Sequence, residues 1–302
     1  MQSRRTIVGI GEALFDVFDD EQRLGGAPLN VAVHAHQLGN NGVVVSRVGQ
    51  DELGRRIAEE LTQRSMDTAL LQTDPDRPTG TVRVDLSVEG DPQYDILPGV
   101  AWDVVQYDFD VEDLAQRCHA VCFGTLAQRD GQTRNTIYRF LEASRRAIRL
   151  FDVNLRQNYY DRRILNRSLE SATAVKLNTA ELRKLDELFQ LGGSFDAAAQ
   201  TLMERHPNLG WVALTRGTEG TVVFTPGERH ESAPVVAKVT DKADAVGAGD
   251  ATTAALLHGA LRRWPWERTL ELANELGAYV ASQPGACPPL NDHLKKLAQL
   301  EA

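Results

Sequence analysis

The stretch Asp244-Ala-Val-Gly-Ala-Gly-Asp250 places two glycines and an alanine directly ahead of a carboxylate, and an apolar, small-residue run follows at once. Gly247, Ala248 and Gly249 allow a tight turn and leave backbone N–H groups within reach of a ligand. A helix opening near Asp250 points its free amides and the positive end of its dipole at the same spot, which makes an anion site. Such a site suits a phosphoryl group, whose charge spreads over its oxygens during transfer. There Asp250, kept ionised by the dipole, can accept a proton from an attacking hydroxyl. The same residues allow a plainer reading, in which Asp250 is a first-turn acid capping its helix.

Other chemical patterns fail on inspection. Gly9-Ile10-Gly11 begins like a dinucleotide loop, but position 14 is Leu and acidic residues follow where a helix should open. No Gly-Lys dipeptide occurs, which removes a Walker-type phosphate loop. His34 and His36 lie in a helical pattern and do not share a face, so they are a poor metal pair. Cys118, Cys122 and Cys287 are too few and too badly spaced for a disulfide framework or a zinc knuckle. They are expected to be buried thiols in a reducing cytoplasm.

The elements that must position these groups alternate along the chain. Strand patterns at 6–14, 41–49, 120–126, 148–154, 173–178 and 210–217 are separated by helical ones such as 30–39, 51–64 and 133–146. Asp51 reads as the cap of the second of these helices. Short, near-continuous apolar strands between helices predict a mostly parallel sheet covered on both faces. The stretch 79–97 breaks this rhythm with period-two alternation across a Gly-Asp turn, and reads as an antiparallel hairpin. Segment 12–24 reads as a further short strand pair. The expectation is one α/β domain over 1–302, with a small β-sheet lid built from insertions at about 12–25 and 79–98.

The bulk numbers narrow the partners. The chain has 302 residues, 42% of them apolar and 25% charged, with a formal net charge of −9. An acidic surface argues against nucleic acid and against anionic membranes, while leaving room for a local cationic spot that holds a small anion. No run of 18 apolar residues exists, and the start lacks the apolar core of a secretion signal, so a cytoplasmic protein is expected.

With these motifs in view, the chain resembles the ribokinase-like (PfkB-type) sugar kinases. The resemblance rests on DAVGAGD, GGAPLNVAVHAHQLG (25–39), RVGQDELG, DVNLR (152–156), KLNTAEL (176–182) and LTRGTEG (214–220), in family order from residue 6 to about 290. It implies a central, mostly parallel sheet with helices on both faces and a β-lid. It also implies transfer of the γ-phosphoryl of ATP to a sugar hydroxyl, with Asp250 as base and the Gly247–Gly249 backbone as anion hole. Asp16, Gly25, Gly26 and Asn30 match sugar-binding positions, although Asn30 could equally be a helix N-cap. Asn154 and Arg156 fall at a strand's C-terminal end, where open α/β sheets bind ligands; Arg156 would neutralise phosphate or form a surface ion pair.

Asn178 matches a position that meets nucleotide phosphate, and Glu181 one that acts on Mg2+ through water, although the pair also reads as a capping box. Thr215, Gly217, Gly220 and Asn274 match nucleotide-binding positions. Asp244 and the carbonyls of Val246, Ala281 and Gly285 match a K+ site. Ala245, in place of the usual Thr, and Pro289 depart from the pattern of that site, and the gap between Asp16 and Gly25 is short. The resemblance points most to the fructokinase-like branch and to D-fructose, with ribose, nucleosides, 2-keto-3-deoxygluconate and a catalytically silent sugar sensor as alternatives. An apolar lid face carrying Val82, Val84 and Leu86 would pair two copies of the chain, or else pack on its own domain.

Overall fold

The computed structural model describes residues 4–17, 21–85, 93–235 and 245–299. In chain order the elements are β1 (Thr6–Ile10), β2 (Leu14–Val17), β3 (Gln22–Gly25), α1 (Ala27–Gln37), β4 (Asn41–Gly49), α2 (Glu52–Gln63), β5 (Leu71–Asp74), β6 (Gly80–Asp85), β7 (Gln93–Ile96), α3 (Phe109–Arg117), β8 (Ala120–Phe123), α4 (Gly131–Ala143), β9 (Ile148–Asp152), α5 (Arg162–Ser171), β10 (Ala174–Asn178), α6 (Thr179–Phe189), α7 (Phe195–Arg205), β11 (Trp211–Thr215), β12 (Thr221–Thr225), β13 (Glu228–Glu231), α8 (Ala248–Arg262), α9 (Trp266–Ala281) and α10 (Asp292–Gln299). Nine strands form one sheet in the order β13-β12-β11-β10-β9-β8-β1-β4-β5. Only β12 and β13 run antiparallel to their neighbours.

Both faces of this sheet are covered, as the apolar strands require. Along β8 the side chains alternate: Ala120 and Cys122 join the core under α8, α9 and α10, while Val121 and Phe123 join the core under α3 to α7. β9 and β10 split the same way, with Leu150 and Ala174 on one side and Phe151, Val175 and Leu177 on the other. Asp51 caps α2 as expected, accepting from the Gly54 amide at 2.8 Å.

The four remaining strands form a separate small sheet, in the order β3-β2-β6-β7. Both expected strand pairs are present, Phe15 opposite Leu24 and Val82 opposite Ile96, and a parallel β2–β6 ladder joins them. The root of β7 is held by Arg129, whose Nε donates to Asp103 at 2.8 Å and whose other arm donates to the Leu97 carbonyl at 2.7 Å. Its guanidinium stacks over the Trp102 ring, 3.9 Å from the centroid.

Two expectations need correction. The strand expected over 6–14 is two strands, because Gly11, Glu12 and Ala13 carry the chain out of the large sheet and into the small one. The helix expected from residue 30 starts at Ala27, so Asn30 is no N-cap; its amide bonds to the Gly26 carbonyl inside the first turn. Val82 is buried within its own chain, paired with Ile96 over a cavity, which fits the reading in which this lid face packs on its own domain. Leu86 lies outside the described residues.

Candidate active site

A cavity of about 390 Å³ opens where the C-terminal ends of β9, β10 and β11 meet the N-terminus of α8 and the root of the small sheet. This is the crevice in which open α/β sheets bind ligands. The structure brings Asp16, Gly26, Asn30, Asn154, Arg156, Asn178, Glu181, Thr215, Val246, Gly247, Gly249 and Asp250 to its wall. Leu14, Val82, Ile96 and Leu126 supply the apolar part.

Asp250 lies in the first turn of α8. Its carboxylate accepts a hydrogen bond from the Asn30 side-chain amide at 2.8 Å, across the junction between α1 and α8. Asn30 is oriented in turn by the Cys287 thiol, 3.4 Å from its carbonyl oxygen. Burial lifts the Asp250 pKa from 3.8 to about 7, and the Asp152 charge adds to the lift; Asn30, Lys176 and Arg156 oppose it. Desolvation thus works against the ionised form that the helix dipole favours. A carboxylate poised near neutrality is well matched to general-base work.

Gly247 caps α8 in the left-handed region, at φ 77°, and a Cβ there would sit 2.6 Å from the Ala286 carbonyl oxygen. Only glycine fits this turn. Among the described residues the Gly249 and Asp250 amides have no acceptor, while the Ala248 amide leans on the Ala245 carbonyl at a long 3.4 Å. An anion bound at this turn would meet mainly the amides of Gly249 and Asp250. Gly25 is outside the cavity wall but behind it: a side chain there would collide with the Asp16 carboxylate.

Four polar residues that were given no role from sequence complete the site. Lys176 is buried in β10, with its ammonium 3.2 Å from Asp152, and it lines the cavity beside Gly249. Burial alone would depress its pKa, but the carboxylates of Asp152, Glu181 and Asp250 outweigh that and hold it above the ordinary lysine value. Thr253, one turn beyond Asp250, has its hydroxyl 2.9 Å from Asp152 and so fastens α8 to β9. Glu12 is the fourth. The signal for Lys176 and Asp152 was present: a charge within an otherwise apolar buried strand requires a partner.

Asn178 and Glu181 form the capping box of α6. The Asn178 side chain accepts from the Glu181 amide at 2.9 Å, and Glu181 accepts from the Asn178 amide at 2.8 Å. Both nevertheless face the cavity. Glu181 also accepts from the Leu155 amide at 3.1 Å, which leaves each carboxylate oxygen one engaged and one free lone pair. Burial raises its pKa. These residues fit a hydrated Mg2+ reached through water, and among the described residues no cluster of three or more His, Cys, Asp or Glu forms a direct metal cage.

Gly217, Gly220, Asn274, Ala281 and Gly285 are not part of the cavity wall. Gly217 opens a short turn after β11. Gly220 and Asn274 meet each other, since a Cβ on Gly220 would be 3.1 Å from the Asn274 amide nitrogen. That amide donates to Ser232 at 2.9 Å. Of the K+ set, Val246 lines the cavity, Ala281 ends α9 and Gly285 sits in a left-handed turn at φ 75°. Asp244 lies outside the described residues.

A doubly wound sheet with an acid at a helix N-terminus, unengaged amides beside it and a polar cleft in front defines an α/β group-transfer enzyme. Residues 7–293 match the pfkB family carbohydrate kinases, and the chain belongs to that family. It is 31% identical to a fructokinase of Klebsiella pneumoniae over 314 residues, covering 95% of this chain and 97% of that protein. A sugar kinase of Pyrococcus horikoshii solved in complex with ATP superposes with a TM-score of 0.81 at 25% identity, over 97% of this chain and 99% of that one. The fold of a Vibrio cholerae fructokinase, at 24% identity, is shared with a TM-score of 0.81 over 98% and 99% of the two chains.

Proposed function

We propose that this carbohydrate kinase transfers the γ-phosphoryl group of ATP to the 6-hydroxyl of D-fructose, with Asp250 as base. The observation that carries the reading is the placement of Asp250. Its carboxylate shares one cavity with the α8 amides on one side and with Asp16, Gly26 and Asn30 on the other. Asp16 and Asn30 offer a carboxylate and an amide for neighbouring sugar hydroxyls. The hydroxyl to be phosphorylated then lies against Asp250, which takes its proton as the new P–O bond forms. The Gly249 and Asp250 amides, with Lys176 behind them, stabilise the charge spreading over the transferring group. Mg2+, when bound, neutralises phosphate charge, and Glu181 would hold it through water. Asn178 and Thr215 face the same end of the cavity and would meet nucleotide phosphates.

Fructose is chosen because the fructokinase of Klebsiella pneumoniae matches nearly the whole chain. A K+ ion on the Val246 side would support the anion hole electrostatically. Asn274 with Gly220 would bound the base of the nucleotide. Two copies could pair through the open β3 or β7 edge of the small sheet, which sedimentation would detect. Three buried thiols and an ATP-dependent reaction suit the cytoplasm.

A coupled ADP assay over fructose, ribose, 2-keto-3-deoxygluconate and adenosine, with and without K+, tests the reading. Fructose should give the highest kcat/KM and a 6-phosphate product by NMR. A preference of about tenfold or more for another acceptor would replace fructose. No ADP release with any acceptor would remove the kinase assignment of the cavity.

A further inference from the structure

Glu12 lies in the three-residue link between β1 and β2 and lines the same cavity as Asp16, Asn30 and Asp250. It is 2% exposed. The backbone amides of Glu12 itself and of Ala27, the first residue of α1, lie near enough to favour its ionised form. Its Oε2 is buried and has no hydrogen-bond partner among the described residues. Leaving a buried polar atom unsatisfied costs roughly 1–3 kcal/mol, and in a residue that lines a cavity this points to a ligand group. A side chain on Gly26 would collide with the Glu12 carbonyl, so the backbone of Glu12 is packed against the turn that opens α1.

The surroundings define what the carboxyl can meet. Burial, with the Asp250 charge added, lifts the Glu12 pKa to about 7, while Arg156 and the backbone amides pull it down. Near neutrality the carboxyl is therefore populated both as an acceptor and as a donor. An ammonium group suits only the ionised form and a second carboxylate only the protonated one. A hydroxyl, which both donates and accepts, suits either.

We propose that Glu12 is a specificity-determining contact to the acceptor, exchanging a hydrogen bond through its carboxyl group with a neutral sugar hydroxyl other than the one that Asp250 activates. The inference rests on the sugar-kinase reading of the cavity. It narrows the acceptor to polyols that present an uncharged hydroxyl at this point, and disfavours a sugar acid whose carboxylate would fall there.

The test is a cycle between Glu12→Ala and a series of monodeoxy analogues of the best acceptor, read as sugar Kd by calorimetry without nucleotide. Glu12→Ala should weaken sugar binding roughly 10- to 100-fold, the worth of a hydrogen bond to an ionisable group. The KM for ATP should stay within about twofold of wild type. One deoxy analogue should cost the wild type about as much, and cost Glu12→Ala nothing further. Glu12→Gln, which keeps the shape and one acceptor, should bind within about fivefold of wild type. If circular dichroism shows that Glu12→Ala is unfolded, Glu12→Met fills the same volume without a polar atom and carries the same expectations. Equal penalties for every deoxy analogue in wild type and variant would overturn the proposal and leave Glu12 as a support for α1. A wild type that binds the sugar but never releases ADP would fail the kinase reading instead, and the binding cycle would still be readable.

Discussion

Exchanging Asp250 for Asn separates two burdens that one carboxylate carries. In the folded chain its pKa is lifted from 3.8 to about 7, chiefly by burial. The folded state thus holds this proton more firmly than the unfolded one. The stability associated with the protonated form is fully present below about pH 4 and is lost as pH rises through about 7. At about 1.4 kcal/mol per pKa unit, the ceiling on the cost at pH 8 is about 4 kcal/mol. Asp250 is partly open to the cavity, so solvent screens some of this, and Asn must re-form the contact to Asn30; the net gain expected for Asp250→Asn at pH 8 is about 1–2 kcal/mol. Turnover should fall about 10²- to 10⁴-fold, the usual worth of a positioned base, while sugar Kd moves less than about fivefold. Urea melts at pH 8 and pH 4, beside steady-state kinetics, read both effects. Near-wild-type turnover would refute the base, and a gain that does not shrink between pH 8 and pH 4 would refute the buried-charge argument.

Three further outcomes are expected. In the wild type, kcat/KM should drop as pH falls below about 7, approaching tenfold per unit, because protonated Asp250 cannot take the hydroxyl proton; Asp250→Asn should flatten that limb. Gly247→Ala forces a left-handed φ and a clash with Ala286, so denaturant melts should show a loss of about 1–3 kcal/mol and kinetics a raised KM for ATP. Lys176→Met strands Asp152 in the core and should cost about 3–5 kcal/mol in the same melts, and adding Asp152→Asn should recover part of it.

The layered α/β fold was legible because its strands are continuous apolar runs and its helices carry caps such as Asp51. The small sheet was legible from the period-two pattern of 79–97. The break at Gly11–Ala13 was not, because an apolar run continues through it on both sides and only the tertiary path separates β1 from β2. In the site, the Gly-Ala-Gly turn declared itself through residue type. Lys176, Asp152 and Glu12 were overlooked for the converse reason: each sits within an apolar context whose periodicity drew attention away from the single polar member. The pairing of Asn178 with Glu181 was legible as geometry, yet its exposure to the cavity depends on where β10 ends relative to β11, which no local pattern encodes.

The small sheet is built like a cantilever. Leu14 is paired with Gly25 on one side and with Gly80 on the other, so three of its strands enter or leave the body along a single row, and Arg129 rivets the fourth close by. At its far end Val17 pairs with Gln22 and Asp85 with Gln93. A fluorophore attached at Gln22, exposed at that far end, should therefore leave the floor of the cleft undisturbed while signalling every flexion of the beam.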